Sequence, residues 1–222
     1  MAALALGVLS LAGCGGSSGG GGGGSGHGTI FLESFSGTFP GAWQVIQPTA
    51  QILDTDGFPG PCVRFPAGGV SNQPWIQYRP SPASTWNWQG GIQLYVFARF
   101  VEGASSGSAE IDVLSLDSMA PGVDGTDAMV DVTGSLATGL HLDYRILTHA
   151  GWVSASEDLP AGSGWHDYTY AVRSDGTAAW YRDTIVRLDT GMQTAYPANL
   201  GVALRGFFGL ECRFDEIEVV RP

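Results

Sequence analysis

The sequence predicts an all-β protein built as a sandwich or barrel. From Ile30 onward, short stretches with period-2 alternation or β-branched and aromatic enrichment follow one another. Turn formers separate them, and no stretch shows the apolar stripe of an amphipathic helix. Many short strands at regular spacing are the mark of sandwiches and barrels, and the lack of a fixed internal period sets aside propellers and solenoids.

In chain order, the strand signals are "IFLESF" from Ile30, "AQILD" from Ala50, "CVRF" from Cys62, "WIQYR" from Trp75 and "IQLYVFARFV" from Ile92. They continue with "AEIDVLSL" from Ala109, "AMVDVT" from Ala128, "LHLDYRIL" from Leu140, "WHDYTYAV" from Trp165 and "TAAWYR" from Thr177. "LGVALRGFFG" from Leu200 and "RFDEIEVV" from Arg213 complete the set. "DTDG", "PAGG", "EGASSGS", "APGVDGTD", "PAGSG" and "SDG" supply the turns, through Gly, Pro and Asp chemistry.

With 222 residues the chain can bury one sizeable core. A single folded domain over residues 29–222 is therefore expected. The formal charge is −11, and all 10 basic residues are Arg, which leaves no basic stripe for a phosphate backbone. Nucleic acid is excluded as a partner on that ground. The same balance argues against docking on an anionic membrane by charge alone.

The first residues, "MAALALGVLSLAGC", form an apolar run too short to span a bilayer, as in a cleaved export signal. Leu11-Ala12-Gly13-Cys14 resembles the lipobox of bacterial lipoproteins, although no Lys or Arg precedes the apolar run. The resemblance implies a signal peptide over residues 1–14, cleavage before Cys14 and a lipid on its sulfur. Gly15 after the cysteine implies, by the same resemblance, the outer membrane or cell surface as destination. Residues 15–28, "GGSSGGGGGGSGHG", bury nothing and act as a flexible tether with a span of roughly 20 Å.

Cys62 and Cys212 remain. In an exported protein an even remainder suggests a disulfide between their strands, the alternative being two buried thiols.

Residues 164–188, "GWHDYTYAVRSDGTAAWYRDTIVRL", resemble the hairpin of laminin-G-like and other concanavalin A-like lectin/glucanase domains. Thr184 stands where the second turn usually has Gly. "FLESFSGTFPGAW" and "CRFDEIEVV" resemble the first and last strands of such domains, which pair with each other. The resemblance implies an antiparallel jelly-roll β-sandwich. It also implies a place for a structural calcium where those strands meet, at Glu33 and Asp215. No other cofactor is called for.

"AEIDVLSLD" is similar to the catalytic strand of glycoside hydrolase family sixteen, which reads Glu-x-Asp-x-Glu or, when bulged, Glu-x-Asp-x-x-Glu. A retaining glycosidase needs a nucleophilic carboxylate and a separate proton donor about 5–5.5 Å apart, and residues two apart on a strand share a face. The resemblance puts the nucleophile at Glu110 and the supporting carboxylate at Asp112. The acid/base then falls on Leu114 or Ser115, neither of which can deliver a proton. Asp117 is roughly 16 Å from Asp112 along a strand and is no substitute. Glu110 and Asp112 are thus either ligand-facing remnants on the concave sheet or ordinary solvent-facing acids.

Trp86 and Trp88 in "STWNWQGG" would share a strand face, as a sugar-stacking platform if exposed or as core if not. Trp43, Trp152, Trp165 and Trp180 are expected in the core. "DTDG" at 54–57 and "DGTD" at 124–127 lack a full calcium ligand set, and turn chemistry explains them. His27, His141, His149 and His166 show no metal spacing, and no nucleophilic triad order or phosphate loop is present.

The sequence therefore points to a lipid-anchored, non-catalytic binding or adhesion module with a glycan or cell-surface protein as partner. The alternatives are a divergent family-sixteen-like hydrolase of a β-glucan or related polysaccharide, and a structural surface lipoprotein.

Overall fold

The computed structural model describes residues 28–35, 43–47, 51–53, 61–67, 73–82, 86–116, 125–194 and 199–222. Cys14, the tether up to His27, the "DTDG" stretch and Asp117 lie outside the described residues.

The elements are β1 (Gly28–Glu33), β2 (Trp43–Gln47), β3 (Gln51–Leu53), β4 (Cys62–Phe65), β5 (Trp75–Tyr78), β6 (Ile92–Glu102), β7 (Gly107–Ser115) and β8 (Thr126–Ser135). They continue with β9 (Gly139–Thr148), β10 (Gly151–Leu159), β11 (His166–Val172), β12 (Thr177–Arg182), β13 (Ile185–Gln193), β14 (Leu200–Gly206) and β15 (Leu210–Arg221). An eight-stranded sheet runs β13-β12-β11-β6-β15-β4-β3, with β1 added beside β15. A seven-stranded sheet runs β10-β9-β8-β7-β14-β5-β2. Together they form the antiparallel jelly-roll sandwich that the hairpin resemblance implied.

The residues of β6 alternate between buried and half-buried at every position, so Ile92, Leu94, Val96, Ala98 and Phe100 face the interior while Gln93, Tyr95, Phe97, Arg99 and Val101 face out. Trp180, Tyr144, Tyr168, Tyr170, Phe100 and Phe214 fill the space between the sheets, each at 2% exposure or less. Each such side chain contributes about 1.5–3 kcal/mol by burial. Trp180 of β12 also donates its Nε1–H to the Arg145 carbonyl of β9 at 3.1 Å, joining the two sheets.

The hairpin region is built by its turns. Asp175 accepts the Thr177 N–H at 2.9 Å, and Gly176 takes φ +82° there. At the following turn Asp183 and Thr184 both have positive φ, 51° and 67°. Two positive-φ residues give the turn that suits strand twist, but a β-branched Thr184 carries a local cost of about 1–2 kcal/mol. Contacts on the Asp183 carboxylate hold the turn: His166 Nδ1 at 2.7 Å, Arg182 Nη1 at 3.0 Å and the Asp167 N–H at 3.1 Å.

β1 pairs antiparallel with β15, as expected for the first and last strands, and Glu33 stands opposite Ile217.

The expected Cys62–Cys212 disulfide is not formed, although β4 and β15 are neighbours. Cys212 lies opposite Phe65, three residues from Cys62, so the two sulfurs project from opposite faces of the sheet. Cys212 belongs to the central core, and its burial pushes the thiol pKa far up. The strands were rightly read as neighbours; the register separates the thiols.

Candidate functional site

β7 lies between β8 and β14 in the middle of the seven-stranded sheet. Ala109, Ile111 and Val113 point into the core at 0% exposure, which turns Glu110, Asp112 and Leu114 to the outer face. Pairing from Ala109 to Ser115 with β14 is unbroken, so the regular spacing applies on this strand. The position that would carry the acid/base is Leu114, 3% exposed.

The register places a line of polar and aromatic residues across this face. Gln47 of β2 stands opposite Trp75 of β5, Trp75 opposite Arg205 of β14, and Arg205 opposite Glu110. Glu110 stands opposite Asp131 of β8, Asp131 opposite Asp143 of β9, and Asp143 opposite Ser156 of β10. A second line, one pleat on, runs Gln44, Gln77, Ala203, Asp112, Met129, Arg145 and Ser154.

Arginines stabilise this density of carboxylates. Arg205 sets Nε 2.8 Å from Asp112 Oδ2 and Nη1 3.6 Å from Glu110 Oε2, with its guanidinium 4.3 Å from the Trp75 ring centre. Arg145 Nη2 lies 2.6 Å from Asp143 and 3.8 Å from Asp131. Burial raises the Asp131 carboxyl above its ordinary pKa; Arg145 opposes the rise and Asp143 adds to it. Two shallow hollows open at the ends. One of about 120 Å³ is lined by Gln47, Gln73, Pro74, Trp75, Arg205 and Phe207, and one of about 490 Å³ by Met129, Asp143, Arg145, Trp152 and Ser154.

Of the residues expected from sequence, Glu110 and Asp112 do share this face. Their exposures differ: the Glu110 side chain is 20% exposed, whereas Asp112, at 0%, is sealed beneath Arg205 and cannot meet a ligand directly. Trp86 and Trp88 form no platform. Trp86 is 1% exposed and packs on Tyr78 and Phe31 at 5.0 and 5.1 Å, and the half-buried Trp88 also packs against the core. Trp152, expected in the core, is instead 49% exposed on this face, which also carries the half-buried Trp75 with Phe207 beside it in the smaller hollow.

Glu33 accepts the Phe35 N–H at 2.8 Å, and Asp215 is 3% exposed in the bulge of β15. No group of three or more His, Cys, Asp or Glu side chains suited to a metal ion occurs among the described residues. A calcium ion takes six to eight oxygens, so these two carboxylates would supply only part of its shell.

Sequence reading missed Arg205, Asp131, Asp143 and Arg145. Each sits at an outward position of an alternating strand, which was visible; that β14, β7, β8 and β9 lie side by side was not.

No protein-family profile matches the chain, and no curated protein sequence does. Solved structures of the same fold do. The β-glucanase of Bacillus licheniformis superposes with a TM-score of 0.58 at 12% identity over 88% of this chain and 98% of its own. The laminarinase of Rhodothermus marinus gives 0.57 at 10% identity over 88% and 98%. The carbohydrate recognition domain of Emp47p gives 0.59 at 10% identity over 90% and 99%. At these identities the likeness establishes the fold, a jelly-roll sandwich shared by glycanases and carbohydrate-recognition domains.

Proposed function

We propose that this protein is a glycan-binding module and that a polysaccharide lies across the outer face of its seven-stranded sheet. One observation carries the reading: the register that lines Trp75, Arg205, Glu110, Asp131 and Asp143 in a single row across five strands. Carboxylates accept hydrogen bonds from sugar hydroxyls, guanidiniums donate to ring and hydroxyl oxygens, and Trp faces cover the apolar side of a pyranose. Shallow, open hollows suit a chain crossing the sheet better than a small ligand enclosed in a pocket. Lectin and glycanase neighbours support the ligand class. In this reading a lipid on Cys14 holds the domain at the outer membrane or cell surface, and the Gly/Ser tether lets it stand clear of the bilayer.

The test is a glycan array and polysaccharide pull-down on the full chain, with and without calcium, comparing wild type with Glu110→Gln. Specific retention weakened by Glu110→Gln supports the site; no retention of any polysaccharide by folded protein removes it. Replacing Cys14 by Ser and following metabolic incorporation of a labelled fatty acid tests the anchor.

One observation favours a second reading, a divergent glycoside hydrolase. Asp131, directly opposite Glu110 on the neighbouring strand, brings a second carboxyl whose Cβ lies about 4.5–5.5 Å away. A carboxyl with raised pKa beside an arginine-supported carboxylate is the division of labour that glycoside hydrolysis requires. Release of reducing ends from a bound polysaccharide, abolished by both Glu110→Gln and Asp131→Asn, would establish it; binding without release leaves the module non-catalytic.

A further inference from the structure

The eight-stranded sheet carries an arrangement on its own outer face that the site above does not use. Arg99 of β6 stands directly opposite Arg213 of β15, and Arg213 directly opposite Arg64 of β4. Three of the ten arginines of a chain with formal charge −11 thus form one row across adjacent strands. Like charges directly opposite one another destabilise a sheet.

Glu211 offsets part of the repulsion, lying 2.5 Å from Arg64 Nη2 and 2.7 Å from Arg213 Nη2. Arg99 makes no ion pair with a described carboxylate, and its buried Nε–H has no acceptor among the described residues. One residue beyond the His166–Ala98 pair, Trp165 comes alongside Arg99 and stacks on Phe97 with ring centres 5.3 Å apart at 16°. Acidic side chains also stand on this face: Glu211 within the row, Asp167 opposite Phe97, and Glu218 opposite Tyr95.

The geometry points to a second binding site, at Arg99, Arg213 and Arg64 with the Trp165–Phe97 stack beside them, for the sulfate or carboxylate groups of an anionic polysaccharide. The arginines repeat at the strand spacing of about 5 Å, comparable with the length of one sugar unit in an extended chain, and guanidinium forks suit planar or tetrahedral oxyanions. The aromatic stack offers a ring face at the end of the row. This site lies on the other sheet from the proposed glycan row and stands or falls independently of it.

The test is affinity electrophoresis of the full chain in gels containing dextran sulfate, polygalacturonate or neutral laminarin, with a parallel flotation assay on phosphatidylglycerol vesicles. Wild type, Arg99→Gln and Arg99→Lys are compared, each checked for an unchanged circular dichroism spectrum. The expected result is salt-sensitive retardation by a sulfated or carboxylated polysaccharide. It weakens about tenfold in Arg99→Gln and recovers in part in Arg99→Lys. Equal retardation of wild type and Arg99→Gln, or none by either charged polysaccharide at low salt, overturns the proposal. So does binding to vesicles without binding to the polysaccharides, which would assign the row to lipid phosphate.

Discussion

Removing the Glu157 carboxylate should destabilise the sandwich more than any surface ion pair in it. Glu157 sits on edge strand β10 of the seven-stranded sheet and receives the Tyr144 hydroxyl at 2.6 Å and Arg182 Nε and Nη2 at 2.7 and 2.9 Å. Arg187 Nη1 lies 3.0 Å away. Arg182 and Arg187 belong to β12 and β13 of the other sheet, so one carboxylate ties the two sheets together along their shared edge. The side chains of Glu157 and Arg182 are only 16% and 10% exposed. Breaking a buried pair from one side costs about 3–5 kcal/mol, and the residual exposure here places Glu157→Ala near the lower end, about 3 kcal/mol. For a domain of this size that lowers Tm by about 6–12 °C.

The pH dependence has a definite sign. Burial alone would raise the Glu157 carboxyl, but Arg182 and Tyr144 hydrogen bonds and the Arg187 charge hold it below the usual carboxylate range. A depressed acid stabilises the fold above its unfolded pKa of about 4.3, and that contribution fades as pH falls through the lower folded value. Thermal unfolding followed by circular dichroism should therefore show the full difference at pH 7 and a shrinking one below pH 4. A Tm change under about 2 °C at pH 7, or a gap that does not close on acidification, refutes the reasoning.

Three further outcomes follow from the same structure. Burial, offset by the Thr169 hydrogen bond and reinforced by Asp183, Glu216 and Glu218, pushes Asp167 up to about 6. Its charged form is disfavoured in the fold above that pH, so Asp167→Asn should be more stable than wild type in urea at pH 7.5, with the advantage gone by pH 4. Cys62 and Cys212 should both be alkylated without reductant once the chain is denatured, and neither while it is folded; intact mass under non-reducing conditions reads this directly. Gly107→Ala would set a Cβ 2.2 Å from the Leu210 backbone nitrogen and 2.3 Å from the Gly209 carbonyl carbon, and should cost about 3 kcal/mol in chemical denaturation or prevent soluble expression.

Fold class and the meeting of the first and last strands were legible in the sequence because alternation and turn chemistry are local. β10 was not. "GWVSASEDL" is an edge strand whose inward face, Val153, Ala155 and Leu159, is narrow and interrupted by Glu157, so its apolar signal is weak although exposure alternates along it. Glu110 and Asp112 were legible as a motif, yet their difference in exposure depends on Arg205, which lies about 90 residues away in sequence and reaches them only through β14. The tryptophans show the same limit. Trp86 was the platform candidate and Trp152 a core expectation, yet Trp86 packs on Tyr78 and Phe31 and Trp152 stands exposed at a sheet edge. Strand order decides both, and strand order is a long-range property.

The most direct test of the central claim is the dissociation constant of the full chain for whichever polysaccharide the array identifies, measured for wild type, Trp75→Ala and Trp88→Phe. Trp75 flanks Arg205 on the proposed row, whereas Trp88 packs against the core elsewhere. Binding weakened about tenfold by Trp75→Ala and unchanged by Trp88→Phe, with both variants folded, is the predicted result. Equal affinity in all three proteins would contradict a glycan site on the outer face of the seven-stranded sheet.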